Sequence, residues 1–214
     1  GIAIPFLVIS GTMIDWVRTA AGTDLGFRPE GLASVSVNLN GAGGAKDSGF
    51  LLRTARDTLQ QAHGVRSVAV ADGLPLGAGY RPARASRPDH AGAVWVGVIR
   101  VGEGYLETVG VPVVRGRAIT AADVAGAEPV GVISKPVGGR LVGKEDPVGR
   151  QILLPIEENA ARAFTVVGVT ADFVGRSFDD PRTQVLVSLA QHPVSRVLLV
   201  ARAADGLSSS ALTT

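Results

Sequence analysis

Short apolar segments bounded by glycine, proline or acidic turn residues recur along most of this 214-residue chain. Val35, Val37 and Leu39 alternate with serine and asparagine, which is the period of a half-buried strand. Further strands are predicted at Val65–Val70, Val94–Val98, Val111–Arg115, Val130–Ile133, Gln151–Leu154, Phe164–Thr170, Gln184–Ser188 and Arg196–Ala201. Many short strands at close spacing indicate a fold that is rich in β-structure.

Helical periodicity is confined to a few places. Leu51, Leu52, Ala55 and Leu59 recur at helical spacing, which predicts a helix from Asp47 or Ser48 to about Ala62. With its flanking strands this helix forms a β-α-β unit, so the predicted fold class is α+β. A short helical turn is predicted at Tyr105–Val109, an aperiodic loop at Gly77–Ala93, and the first turns of a further helix at Leu207–Thr214.

The first fourteen residues, Gly1–Ile14, carry no charge. A helix of that length covers about 21 Å, against about 30 Å of hydrocarbon in a bilayer. The segment is therefore the h-region of a signal peptide, a buried core helix, or the outer part of a transmembrane helix that begins upstream. The charges and tryptophan of Asp15–Arg18 favour the third interpretation, because such residues suit a membrane interface. The start at Gly1 also suggests a fragment of a longer protein.

Composition excludes several classes of function. A net charge of +2 argues against a nucleic-acid partner, and the absence of cysteine removes thiol chemistry. The arginines are scattered, as at Arg53, Arg56, Arg81, Arg100, Arg140, Arg176 and Arg202, which favours no arginine-based phosphate site. His63, His90 and His192 have no metal-ligand spacing and are expected at the surface or in loops.

A glycine-rich loop at Gly41–Lys46 follows a strand and precedes a helix, where a P-loop belongs. A P-loop needs glycine directly before its lysine and serine or threonine after it, but Ala45 precedes Lys46 and Asp47 follows it. We therefore expect a plain β-α connection. No cofactor and no metal are predicted.

Acidic residues offer little catalytic chemistry. The pairs Glu157-Glu158 and Asp179-Asp180 lie in polar turn sequence, where adjacent carboxylates are usually solvated. A hydrolase that uses Asp72 or Asp172 is an alternative hypothesis. We expect a protein that is not an enzyme, with no catalytic residue.

Several segments occur in the order seen in one family of membrane proteins. They are Asp24–Glu30, Gly64–Leu76 (GVRSVAVADGLPL), Gly104–Arg117 (GYLETVGVPVVRGR), Gly143–Ile152 (GKEDPVGRQI) and Phe164–Val169 (FTVVGV). Together they resemble the extracytoplasmic, periplasmic core domain of MacB-type permeases, the FtsX-like branch of ABC transporter permeases. The resemblance covers roughly residues 24–205.

The motif residues Gly104, Tyr105, Gly110, Pro112, Gly116, Arg117, Asp146, Pro147, Gly149 and Gly168 are interpreted as scaffold. Gly110 and Gly116 fit turns with positive φ, and Gly168 allows close packing of a strand. Tyr105 is interpreted as an anchor in the core or at a subdomain interface. The chain departs from the family at Ser134–Val142, where one proline and two glycines disfavour the family's helix.

The resemblance implies a two-part domain. A porter-like subdomain comprises residues 19–76 and a truncated second half at 191–214, and a β-rich, sabre-like insertion comprises residues 77–190. Residues 1–18 are the outer part of a transmembrane helix. Because the porter-like sheet lacks its closing elements, we expect it to have an unpaired edge.

The same resemblance implies the biological setting. The permease lies in the inner membrane with this region in the periplasm, and its partners are a second permease subunit, identical or paired, a cytoplasmic ATP-binding cassette protein and, as a further partner, a periplasmic adaptor. The domain relays conformational change to substrate export or to the adaptor. The alternative from another class is a secreted or membrane-anchored ligand-binding domain.

Overall fold

The computed structural model describes residues 24–40, 45–77, 79–157, 160–175 and 182–206. Several sequence-based predictions lie outside these residues: the apolar segment at 1–18, the glycine loop at 41–44, Glu158 of the pair Glu157-Glu158, Arg176, the pair Asp179-Asp180 and the final segment Leu207–Thr214.

The described chain has a mixed α+β fold in which strands predominate. The strands are β1 Leu32–Asn38, β2 Val65–Ala71, β3 Arg81–Arg87, β4 His90–Val101, β5 Val113–Gly116, β6 Val130–Ser134, β7 Gln151–Glu157, β8 Ala160–Thr170, β9 Gln184–Ser188 and β10 Arg196–Ala203. The helices are α1 Ala45–Gln60, α2 Tyr105–Val109 and α3 Lys135–Val142. The predicted strands and the first two helices are confirmed, with several ends shifted by a few residues.

The predicted loop at Gly77–Ala93 is wrong. It contains all of β3 and the start of β4, which pair in antiparallel register with Ala83 opposite Val96 and Arg84 opposite Trp95. Ala83 and Ala85 are buried while Pro82 and Arg84 are exposed, so the segment does alternate. Its inward residues are alanines, whose weak β-propensity hides that period in the sequence.

The doubt about a helix at Ser134–Val142 is also corrected, because α3 covers Lys135–Val142. Pro136 lies in the first turn, where a missing backbone N–H costs nothing. Gly138 allows close contact with Pro147, since an added Cβ would lie 3.3 Å from the ring. Val137 and Leu141 are buried, and their burial offsets the weak helix propensity of the glycines.

One part of the sheet has three strands in the order β1, β10, β2. Strand β10 is antiparallel to both neighbours, so β1 and β2 run parallel with α1 as their crossover. The β-α-β unit predicted from the sequence is therefore present, but β10 separates its two strands.

The other part of the sheet closes into a ring of six strands in the order β4, β3, β7, β8, β6, β9, with β9 pairing in parallel with β4. Alternate residues of all six strands form one apolar cluster, which α3 joins through Val137, Leu141 and Val142. A second cluster lies between the ring and the three-stranded part and is built around Tyr105, Ile99, Val132, Phe173 and Val200.

We expect Gly168→Ala to destabilise the fold by about 1–3 kcal/mol, the usual cost of overpacking. A Cβ at Gly168 would lie 2.0 Å from the backbone oxygen of Arg117, which cannot move aside cheaply. Gly139→Ala is the matched control, since nothing lies within 4 Å of its added Cβ. In the helix this control should stabilise by up to about 1 kcal/mol. Urea unfolding of both variants is the measurement, and equal midpoints would contradict the packing described for Gly168.

Candidate functional site: the junction around Tyr105

The three-stranded part meets the ring where β2 touches β4. The strands share one register pair, Ala71 opposite Val101. Backbone hydrogen bonds flank this pair: the N–H of Asp72 donates to the carbonyl of Arg100 at 2.9 Å, and the N–H of Gly102 donates to that of Val70 at 2.7 Å. The sheet is thus continuous but narrow at this junction.

A buried ion pair closes the junction. The Asp72 carboxylate, 4% exposed, accepts from the backbone N–H of Arg100 at 2.7 Å and from its Nη1 at 2.9 Å. The Nε of Arg81 lies 3.8 Å away, and Nη2 of Arg100 donates to the carbonyl of Ile156 at 3.4 Å. Asp72 therefore joins the end of β2 to two strands of the ring.

Helix α2 reinforces the junction from the side. Tyr105 is 1% exposed and its hydroxyl donates to the carbonyl of Gly73 at 3.0 Å. Burial, and then the charge of Asp72, raise the pKa of Tyr105 above its usual range, so the phenol remains a donor. The hydroxyls of Thr108 and Ser67 are 3.0 Å apart, which ties α2 to β2.

Glycines at both ends set the length of α2. Gly104 and Gly110 have φ of 75°, a conformation that non-glycine residues rarely adopt. After Gly110 the chain turns, and the carbonyl of Pro112 accepts from the N–H of Ala171 at 3.0 Å before β5 begins. Three predicted motif residues, Gly104, Tyr105 and Gly110, thus lie on or at the ends of α2 beside the junction, and Pro112 joins the following segment to the residue after β8.

Arg202, on β10, also holds α2 in place. Its guanidinium donates to the carbonyls of Thr108 at 2.6 Å, Arg28 at 2.7 Å and Glu30 at 2.8 Å. The sequence analysis did not select Arg202 for any role, and no local pattern distinguishes it from the other arginines.

A second group of motif residues surrounds β5. Gly116 has φ of 70° and pairs with Gly168 on β8. Arg117 binds both carboxylate oxygens of Asp123, at 2.7 and 2.9 Å. Asp123, which the sequence analysis missed, is buried and also accepts from the N–H of Thr120 at 2.8 Å.

The third group lies directly before β7. The Asp146 carboxylate accepts from the N–H of Val148 at 3.0 Å, and Pro147 contacts Gly138 on α3. Gly149 has φ of 83° and its N–H donates to the carbonyl of Val166 at 2.8 Å. Arg115 pairs with Asp146 at 2.9 Å and so connects the second and third groups, which lie in different places from the junction.

The remaining candidates from the sequence are placed as follows. Asp172 is exposed and 3.7 Å from Arg182, so both hydrolase candidates, Asp72 and Asp172, have arginine neighbours. His63 is exposed, and His90 begins strand β4. His192 lies in a loop, as expected, and is buried there with its ring centroid 5.4 Å from that of Phe164.

Within the described ranges, no group of three or more histidine, aspartate or glutamate side chains is arranged to hold a metal ion. None of the helices that the structure describes has the length and apolar character needed to cross a bilayer.

The sequence model of the MacB-like periplasmic core domain family matches residues 2–213. The chain therefore belongs to this family and is an extracytoplasmic domain of a MacB-like ABC transporter permease. The resemblance found in the sequence motifs is confirmed. No curated protein sequence matches the chain.

Solved structures with the same fold include the periplasmic region of MacB from Actinobacillus actinomycetemcomitans, with 17% identity, a TM-score of 0.55 and coverage of 75% of this chain and 68% of that one. The extracellular domain of the noncanonic ABC-type transporter YknZ from Gram-positive bacteria has 16% identity and a TM-score of 0.51, over 72% of this chain and 73% of that one. A domain of a putative permease protein from Porphyromonas gingivalis has 17% identity and a TM-score of 0.52, over 73% of this chain and 70% of that one.

We expect Arg100→Met to destabilise the domain by about 3–5 kcal/mol, because it leaves the buried Asp72 carboxylate with only the more distant, exposed guanidinium of Arg81. Adding Asp72→Asn removes that charge and keeps an acceptor for the backbone N–H of Arg100. The free energy of unfolding of the double variant should therefore exceed that of Arg100→Met by more than about 1 kcal/mol. Arg56→Met, in an exposed pair with Asp57, is the control and should change stability by less than about 1 kcal/mol. Chemical unfolding measures all three, and a double variant no more stable than Arg100→Met would contradict the account.

The environment of the Asp123 carboxylate predicts that the free energy of unfolding of the domain depends on pH. Burial raises the pKa of Asp123, but hydrogen bonds from Arg117 and Thr120 outweigh burial and lower it below its usual value. Its contribution to stability is therefore full above the unfolded pKa, near 3.9, and is lost as the pH falls through the lower folded value. Asp123→Asn should cost about 1–3 kcal/mol at pH 7, and this difference should shrink below about pH 4. Urea unfolding across this range is the measurement, and a constant difference between the proteins would show that the carboxylate charge is irrelevant.

Proposed function

We propose that this domain is a non-catalytic relay, which passes conformational change from a cytoplasmic ATP-binding cassette protein to substrate export or to a periplasmic adaptor. The permease would act as a homodimer or with a paired permease subunit, in the inner membrane. The family and the printed origins of the similar structures, periplasmic or extracellular regions of transporters, support this setting.

The observation that carries the proposal is the junction around Tyr105. A relay has to transmit displacement without absorbing it, which favours packed and fully hydrogen-bonded connections over hinges. Here one strand pair and the buried pair of Asp72 with Arg100 cross between the two parts of the sheet. The hydroxyl contacts of α2 hold β2 to the segment that follows β4. A displacement of the three-stranded part would therefore move the ring with it.

We further propose the division inferred from the sequence, with a porter-like subdomain at residues 19–76 and 191–214 and a sabre-like insertion at 77–190. The strand pairings support this division: β1, β2 and β10 form one part, and the ring is built from strands that all lie between residues 77 and 190. A transmembrane helix that ends near residue 18 would place the first part next to the membrane.

The relay is tested in the intact transporter with Tyr105→Phe combined with Thr108→Val. These changes keep side-chain volume and remove the two hydrogen bonds that hold α2, which follows β4, to β2 and Gly73, for a cost of about 1 kcal/mol each. Export should fall several-fold while ATP hydrolysis stays within about twofold of the unchanged transporter, since the nucleotide site lies in another protein domain.

Val114→Ala is the matched control, because Val114 is exposed and lies on β5, which pairs with β8. It should leave both export and ATP hydrolysis unchanged. Unaltered export in the double variant, with its reduced stability verified by thermal unfolding, would contradict the relay.

A further inference from the structure

A cleft of about 250 Å³ opens beside α2 and is lined by residues 28, 30 and 31, which precede β1, and by residues 202–206 at the end of β10. Its wall includes the side chains of Arg28, Arg66 and Arg202, which are far apart in the sequence. The arginines are scattered along the sequence. In the folded chain, however, these three lie around one cleft.

The three arginines differ in how they are held. Arg202 is fixed by its three backbone carbonyl acceptors. The stem of Arg28 lies over Gly110, where an added Cβ would be 2.9 Å from its Cβ and Cγ. Gly110 is therefore needed both for its positive φ and to make room for Arg28.

The guanidiniums of Arg28 and Arg66 have N–H groups that are available to a ligand. Within the part of the chain that the structure describes, the Arg28 guanidinium makes no hydrogen bond or ion pair. Arg66 pairs at 2.8 Å with Asp205, whose side chain is 90% exposed, and exposed pairs of this kind are weak. Both arginines can therefore turn their N–H groups to a ligand.

Acidic side chains also line the cleft, namely Glu30, Glu107 and Asp205. The pKa of Arg202 nevertheless lies below its usual value, because burial and then the charges of Arg28 and Arg66 outweigh the opposing effects of Glu30 and Asp205. At the position of Arg202 the arginines thus dominate the local field, which favours an anion.

We propose that this cleft binds a phosphate group, with the guanidiniums of Arg28 and Arg66 as its ligands and Arg202 as a fixed positive wall. The planar, multi-donor guanidinium matches phosphate oxygens and forms charge-assisted hydrogen bonds with them. The proposal for the phosphate group depends on the cleft alone.

Two sources could supply the phosphate: a free phosphate compound or the headgroup of an anionic lipid. Lipid is the source if the cleft faces the bilayer, and this assignment rests on the proposed function. Arg28 follows residue 18 by only ten positions, at most about 36 Å of extended chain, so an anchor that ends there would hold the cleft near the headgroups.

The first experiment titrates inorganic phosphate into the 214-residue chain and follows arginine side-chain resonances by NMR. Replacing Arg28 and Arg66 by glutamine should weaken phosphate binding at least tenfold, since both proposed ligands are lost. Arg196→Gln is the matched control, because Arg196 is exposed at the opposite end of β10 and should bind phosphate as the unchanged chain does.

Glu30→Gln provides a variant that does not depend on removing the arginines. It leaves the backbone carbonyl that Arg202 uses and removes a competing carboxylate, so phosphate binding should become a few-fold stronger. Equal phosphate affinity in the unchanged chain, the arginine double variant and Glu30→Gln would overturn the proposal.

The second experiment measures sedimentation with vesicles of phosphatidylglycerol or of phosphatidylcholine. Each basic residue near an anionic surface contributes about fivefold to binding, so the arginine double variant should bind phosphatidylglycerol about 25-fold less tightly. The double variant could lose inorganic phosphate binding and yet bind phosphatidylglycerol vesicles as tightly as the unchanged chain. That result would support the phosphate site and reject the lipid source. Neither result alters the outcome of the export test, so failure of the relay is recognised separately.

Discussion

The buried contact between Asp72 and Arg100 is the constraint on which the rest of the structure depends. Strands β2 and β4 share a single register pair, too little backbone pairing to hold two parts of a domain together by itself. The ion pair extends this contact, and α2 covers its flank through Tyr105. Because the Asp72 carboxylate, both Nη atoms of Arg100 and the Tyr105 hydroxyl are hydrogen-bonded, any relative movement of the two parts would break several interactions at once.

The sequence predicts the elements well where valine, isoleucine and leucine mark the buried positions, as in β6, β9 and β10. It fails at β3, where alanines occupy the inward positions and arginine and proline the outward ones. It also fails at α3, because the burial of Val137 and Leu141 against the ring offsets a poor local propensity. In both places tertiary packing, and not local propensity, determines the secondary structure.

The residues of the junction and of the cleft were likewise only partly predictable from the sequence. Gly110 and Gly116 could be identified as positive-φ positions from turn chemistry, and Arg117 from its motif. Its partner Asp123 could not, and neither could the convergence of Arg28, Arg66 and Arg202, because side chains from distant segments meet only once the sheet has formed. Arg28 and Arg66 lie within the motif segments Asp24–Glu30 and Gly64–Leu76, but nothing in those segments shows that the two side chains line one cleft.

The central claim, that the domain moves as one body, is tested by the distance between spin labels on its two parts in the intact transporter. These 214 residues contain no cysteine, so single cysteines at the exposed positions Thr54 on α1 and Lys144 after α3 can be labelled selectively once any cysteine elsewhere in the transporter is replaced. The account predicts that the distance distribution between these labels stays the same with and without ATP, while distances to a label on the second permease subunit change. A nucleotide-dependent shift between Thr54 and Lys144 would contradict it.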